Sequence, residues 1–332
     1  MKAIRLPANQ PPRFYRGGAA IAALRGTEPV EYGPEDWVAS CTTLYGETVA
    51  GLSALPDGRW LRDAVRADPE HWLGPGRGAD PALLVKLLDA GQRLPVHCHP
   101  SDGFAKAHLD SRYGKTEAWI VVGTTGPSPT VHIGFREDRD EGTVADWVAA
   151  QDTGALLGAL NEVAVRPGDA VFVPAGVPHA IGAGVFIVEL QQPTDLSIML
   201  EWKGFLDSEA AGHLGLGYPA ALGCVDRSGY AGRLDELVRR PDGGEVVDLF
   251  GPAAEGFFRA QRLAIRSAEV ELEPGYAVLV VLSGAGQLTT GDGEMLALAK
   301  GDTVVVPYAA GSTTIGGELV AIRCAPPGVA GG

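Results

Sequence analysis

The chain has 332 residues, a formal net charge of −14, 45% hydrophobic residues, 46 glycines and 24 prolines. That length leaves room for two domains of ordinary size, and the composition suits a turn-rich protein of many short strands. With no basic run to offset it, the acidic balance argues against nucleic-acid or anionic-membrane partners, yet a phosphorylated small molecule needs only two or three local cations. Along the chain, the opening Met1-Lys2-Ala3-Ile4-Arg5-Leu6-Pro7 lacks the apolar core of a signal peptide, and no apolar run reaches membrane-spanning length. Cys41, Cys98, Cys224 and Cys324 are scattered without a CxxC pair. Reduced thiols in a cytoplasmic enzyme fit that spacing better than a disulfide framework.

Residues 1 to about 90 read as an entry segment. Residues 35–40 form a short strand candidate, and residues 57–65 have helical periodicity behind a turn. Residues 82–90 are leucine-rich enough for a helix, but their brevity and their place just before Gly91 favour a buried strand.

The informative stretch begins at Gly91. His97 and His99 are separated by one residue, and on a strand that spacing turns both imidazoles to one face. Cys98 between them then points the opposite way, as a core thiol rather than a ligand. Glu117 lies on a second strand-like run, and His179 ends the turn Pro174-Ala175-Gly176-Val177-Pro178-His179. Three imidazoles and a carboxylate can hold one divalent metal, zinc first, with iron, manganese, cobalt or nickel also compatible. The spacing resembles the two motifs of the cupins, small double-sheet jelly rolls with a ligand site at the mouth.

Residues 146–160 look like one or two helical turns inserted in the sheet, and residues 185–192 return as a strand. From 207 to 254 glycines and charges suit a connector with a weak helix at 234–239. Residues 278–286 read as a strand and turn, and Gly301 to Pro307 repeats the glycine, five residues, proline start of the second motif. No histidine follows His213, so this repeat has no imidazole ligands. The expected architecture is mostly β: two cupin jelly-roll barrels with a few short helices and metal only in the N-terminal barrel. Its divisions are an N-terminal domain at 1–206, the connector at 207–254 and a metal-free barrel at 255–332.

Several local patterns resemble the short bacterial form of class I mannose-6-phosphate isomerase, a zinc-dependent cupin. They are His97-Cys98-His99-Pro100, Gly114-Lys115-Thr116-Glu117-Ala118-Trp119, Pro174 to His179, Glu35-Asp36-Trp37-Val38-Ala39-Ser40 and Glu189-Leu190-Gln191-Gln192. The resemblance implies metal ligands at His97, His99, Glu117 and His179, with His97 standing where the family has a glutamine. It also implies an active-site lysine at Lys115. The family carries an arginine after its Gln-Gln pair; here Pro193 to Lys203 contains none. Lys106 or Lys203 is the expected partner for a distal anion, and Glu189 and Gln191, on one strand face, could contact sugar hydroxyls.

The expected activity is therefore metal-dependent aldose–ketose isomerisation, first of all between mannose 6-phosphate and fructose 6-phosphate through an enediol. The metal would act on the sugar oxygens while Lys115 moves a proton between neighbouring carbons, or clamps the substrate. Alternatives are an isomerase of a different or unphosphorylated sugar, an Fe(II) cupin oxygenase, and a non-catalytic sugar-binding cupin. The expected partner is a small sugar or sugar phosphate, in a monomer or homodimer.

Overall fold

The computed structural model describes residues 2–266 and 268–328, and within them the protein is mostly β, arranged in several sheets. A six-stranded antiparallel sheet runs in the order Val238–Arg239, Ala170–Val173, Glu117–Thr124, Val185–Gln191, Leu84–Asp89 and Glu35–Val38. A five-stranded sheet orders Ile198–Met199, His97–Cys98, His179–Ile181, Thr130–Phe135 and Leu160–Ala164. Alternation along these strands assigns each face its task. Trp119, Val121, Leu88 and Ile187 from the first sheet share one apolar cluster with Val131, Ile133 and Ile181 from the second. That shared interior is the space into which the metal-ligand motifs also point.

On the outer face of the five-stranded sheet, Cys98, Phe135, Ala180 and Ile198 pack with Val144, Val148 and Leu156. Those last three belong to the helices Glu141–Ala150 and Thr153–Ala159. Asp140 and Asp152 cap the two helices by accepting from the backbone N–H groups of Thr143 and Ala155. The inserted helical region thus starts at Glu141, ahead of the predicted 146, because its N-cap is Asp140.

The opposite face of the six-stranded sheet meets the C-terminal half. Val85, Leu87, Ala118, Ile120 and Val188 share a cluster with Val278, Val280, Ile322 and Cys324. The C-terminal sheet has eight strands, dominated by the pairing of Ala277–Thr289 with Thr313–Ala325. Its other face carries Leu263, Leu279, Val281, Leu319 and Ala321 into a core of its own.

Several expectations about elements hold. Residues 82–90 contain the fully buried strand Leu84–Asp89, and the early strand and helix fall at Glu35–Val38 and Leu61–Ala67. Others need correction. The region 278–286 does not turn: Ala277–Thr289 runs through it, with a register shift between Val281 and Ser283 and Gly284 at a φ of 77°. An added Cβ at Gly284 would lie 2.1 Å from the Glu318 carbonyl oxygen, so glycine lets the paired strands approach where a turn seemed due. The weak helix at 234–239 is a 3₁₀ segment, Ala231–Glu236, followed by the short strand Val238–Arg239. The strand Ile4–Leu6 had no sequence signal, and it pairs with Thr303–Val306 at the far end of the chain.

Candidate metal centre and its cavity

His97 and His179 lie directly opposite each other on paired strands, and His99 follows two residues after His97. Their rings gather with centroid separations of 4.9 Å for His97 and His99, 4.2 Å for His97 and His179, and 4.9 Å for His99 and His179. One nitrogen from each lies within 4.8 Å of the others, which suits a shared ion. The backbone decides which nitrogen is free. His97 Nδ1 is 2.9 Å from the Pro95 carbonyl, His179 Nδ1 2.9 Å from that of Val177, and His99 Nδ1 2.9 Å from that of Leu196. A carbonyl oxygen only accepts, so each Nδ1 carries a proton and each Nε2 is the nitrogen turned to the interior.

Glu117 supplies the carboxylate from the facing sheet. Its Oε2 lies 3.0 Å from His99 Nε2 and its Oε1 3.3 Å from His179 Nε2. Trp119 Nε1 donates to Oε1 at 2.9 Å and fixes the carboxylate plane. Burial opposes ionisation of Glu117, but the Lys115 ammonium 2.8 Å away holds it well below the usual carboxylate range. Burial pushes the imidazoles the other way: His97 titrates well below its ordinary value, and His99 falls to about 3 under burial and the charge of Lys115. Both are neutral at neutral pH, as metal ligation requires. His179 Nε2 is buried without a hydrogen-bond partner, and Glu117 Oε2 has the Lys115 ammonium at 2.8 Å. An orphaned imidazole nitrogen among three convergent rings and a carboxylate fits a divalent cation, since burying such an atom unpartnered is costly.

Lys115 sits beside this cluster, on the same face as Glu117 two residues on. Its Nζ is 3.0 Å from His99 Nε2 and 3.9 Å from Glu189 Oε1. Burial first, then the neighbouring Glu117 charge, raises the Glu189 carboxyl to about 8, against the lowering pull of Lys86. His97, Lys115, Glu117 and Glu189 all line one cavity.

The other predicted residues lie elsewhere. Gln191 is buried beyond the wall, its amide donating to the Thr194 carbonyl and at 3.2 Å to that of Gln192. Lys106 is exposed on the helix Asp102–His108, and Lys203 is exposed after the strand Ile198–Met199; neither lines the cavity. Cys98 faces the outer core, its Sγ 3.5 Å from that of Cys224, and takes no part in the cluster. His71, His132 and His213 are half-buried and are not members of the cluster.

Sequence reasoning found Lys115 but missed two other cations that line the cavity, Lys86 and Arg13. Lys86 Nζ lies 3.3 Å from Glu35 Oε2, 3.8 Å from Glu189 Oε2 and 4.8 Å above the Trp37 ring. Burial works against its charge, yet Glu189 and Glu35 raise its pKa above the ordinary value. Arg13 makes a two-pronged contact with Asp195, at 2.9 and 3.1 Å, and its Nε is 3.2 Å from Glu35. Glu35 also accepts from Tyr15 and, at 2.6 Å, from Trp37 Nε1. One signal was available for Lys86: a lysine inside the apolar run Leu83-Leu84-Val85-Lys86-Leu87-Leu88 must be paired if the strand is buried.

The chain is 28% identical over 283 residues to the mannose-6-phosphate isomerase of Streptococcus mutans, covering 81% of this chain and 83% of that protein. It is 24% identical over 315 residues to the mannose-6-phosphate isomerase ManA of Bacillus subtilis, covering 91% and 92%. In sequence the chain is similar to the mannose-6-phosphate isomerases. The solved mannose 6-phosphate isomerase of Bacillus subtilis superposes with a TM-score of 0.79 at 22% identity, covering 98% of this chain and 99% of that one, so the fold is shared as well. No family model matches the chain.

Proposed function

We propose that the protein is a metal-dependent aldose–ketose isomerase that interconverts mannose 6-phosphate and fructose 6-phosphate. The observation that carries the reading is the convergence of three imidazoles on Glu117, with Lys115 beside them in a cavity. His97, His99, Glu117 and His179 would hold one divalent ion, zinc being the metal we favour. When bound, the ion supplies Lewis acidity toward the oxygens of the sugar. The chain's own groups handle the protons. Isomerisation removes a proton from the carbon next to the carbonyl, forms an enediol and returns a proton to the former carbonyl carbon, while a hydroxyl proton crosses between the oxygens. Lys115 is the group we assign to the carbon-bound proton. Glu189, whose carboxyl burial raises to about 8, can give and take a proton at oxygen. Arg13 and Lys86 are the cations of the cavity wall available to an anionic substrate, a role the exposed Lys106 and Lys203 are not placed to fill.

The fold belongs to the same reading. We take residues 1–206 as a cupin-type barrel that holds the metal, 207–254 as a connector, and 255–332 as a second, metal-free barrel. Supporting this, every histidine precedes residue 214, and the six- and five-stranded sheets enclose one interior. The connector gives Val238–Arg239 to the first set of sheets and Val246–Asp248 to the C-terminal one. No helix among the described residues is long and apolar enough to cross a membrane, which is compatible with the cytoplasmic setting we favour.

The decisive experiment measures metal content in protein purified without added metal, then isomerase rates on mannose 6-phosphate and on free mannose. We expect about one divalent ion per chain, preference for the phosphorylated sugar, and loss of both metal and activity in His99→Ala. Equal turnover of free mannose would reject the phosphate, and oxygen consumption with bound iron would reject the isomerase.

A further inference from the structure

A second cavity opens on the C-terminal sheet, far in sequence from the metal centre. Register places its key side chains. Arg323 pairs with Gln261 on one side and Leu279 on the other, and Arg259 lies two residues before Gln261 on the same strand. Leu279 and Leu263 point into the core of the C-terminal sheet, so Gln261, Arg259 and Arg323 stand on that same inner face, at its open end. Arg77, from the loop after the helix Pro69–Leu73, lines the cavity with them.

Three guanidinium groups around one cavity are unexpected in a chain of net charge −14. Arg25 pairs with Asp36, Arg93 with Glu201 and Arg13 with Glu35 and Asp195. Arg77, Arg259 and Arg323 have no carboxylate within ion-pair distance among the described residues. What they contact is neutral: Arg77 Nη1 donates to the Pro327 carbonyl at 2.9 Å, Arg259 Nε to that of Pro326 at 3.3 Å, and Arg323 Nη1 to Gln261 Oε1 at 3.2 Å. Arg77 and Arg323 are both pushed below the ordinary arginine value, by burial first and then by the charge of Arg259. Glu271 and Glu273 also line the cavity and do not neutralise the cluster. Like charges held this way cost stability unless an anion shares them.

We propose that this cavity binds a phosphate monoester through Arg77, Arg259 and Arg323. Guanidinium forks match the paired oxygens of a phosphoryl group, and each Arg here keeps donors free after its single neutral contact. The remaining wall includes Tyr276, Tyr308 and Leu272, apolar surface that suits an organic body attached to the phosphate. A volume of about 490 Å³ accommodates both parts.

Calorimetric titration of the full-length, metal-loaded protein with inorganic phosphate and with phenyl phosphate tests this, comparing parent, Arg259→Gln and the double variant Arg259→Gln, Arg323→Gln. Binding in the parent should weaken at least about tenfold in either variant, with isomerase kinetics unchanged, because a charge-assisted hydrogen bond is lost. Phenyl phosphate should bind more tightly than inorganic phosphate; equal affinities would overturn the organic part of the ligand. Arg259 is exposed, so its single variant stays informative if the double one fails to fold. Unchanged phosphate affinity in folded Arg259→Gln would overturn the proposal and leave the arginines as anchors for the Pro326 and Pro327 carbonyls.

Discussion

At the scale of single residues, position two on a strand and the partner of the second ring nitrogen decide the chemistry. His97 and His99 face one way because strands alternate, and three backbone carbonyls force Nε2 to be the free nitrogen in all three histidines. Lys115 gains its place by the same alternation, 2.8 Å from Glu117. If it moves the carbon-bound proton, Lys115→Met should lower kcat by about 10²- to 10⁴-fold, the usual worth of a positioned acid–base group, with KM nearly unchanged. Metal content measured on the same variant should stay near one per chain; a loss of metal in step with activity would make Lys115 a support of Glu117 instead. The meeting of His97, His99, Glu117 and His179 was legible in the sequence because a metal site would demand fixed spacings. Lys86, Arg13 and Glu35 were not, because their meeting depends on strands and an entry segment far apart along the chain, and no local pattern encodes that distance.

At the scale of elements, the short stretch after Gln191 matters more than its lack of arginine suggested. Leu196 presents its carbonyl to His99 Nδ1, and Ser197 Oγ lies 3.3 Å from the same nitrogen. The stretch is held just ahead of Leu196: Thr194 Oγ1 donates to the Gly114 carbonyl at 2.7 Å, and Asp195 is gripped by Arg13. Arg13 therefore restrains the segment that orients His99, while Gln192 Oε1 accepts from the Thr116 N–H at 2.8 Å and ties the segment to the Glu117 strand. Asp195→Asn should keep the fold but loosen this restraint, and outer supports of metal ligands are worth about 10- to 100-fold in metal affinity. Competition with a chelator would read that weakening directly; unchanged zinc affinity would limit the Arg13–Asp195 pair to shaping the cavity. The sequence showed a departure in this stretch, but only the folded chain shows that its partner comes from residue 13.

At the scale of the whole molecule, the two halves are interlocked, not strung together. The strand Ile4–Leu6 begins the chain yet pairs with Thr303–Val306, and Arg25 Nη1 donates to the Gly301 carbonyl and to Thr303 Oγ1, each at 2.8 Å. One apolar cluster also spans both, from Val85 and Ile120 to Val280 and Ile322. Separating the halves would expose those side chains, each worth about 1.5–3 kcal/mol when fully buried, so neither half should unfold alone while the other persists. Zinc binds only to the first half on our reading, but its effect should reach the second. At a free concentration about 100 times its Kd, a ligand specific for the folded state adds about 2.7 kcal/mol. Scanning calorimetry should accordingly show a single transition that moves up by a few degrees with zinc and returns when the metal is chelated. Two resolved transitions, with zinc shifting only one, would mean that the shared cluster and the N-terminal strand do not couple the halves. In that case the C-terminal sheet would be a separately folding unit, stabilised by its own ligand and indifferent to the metal.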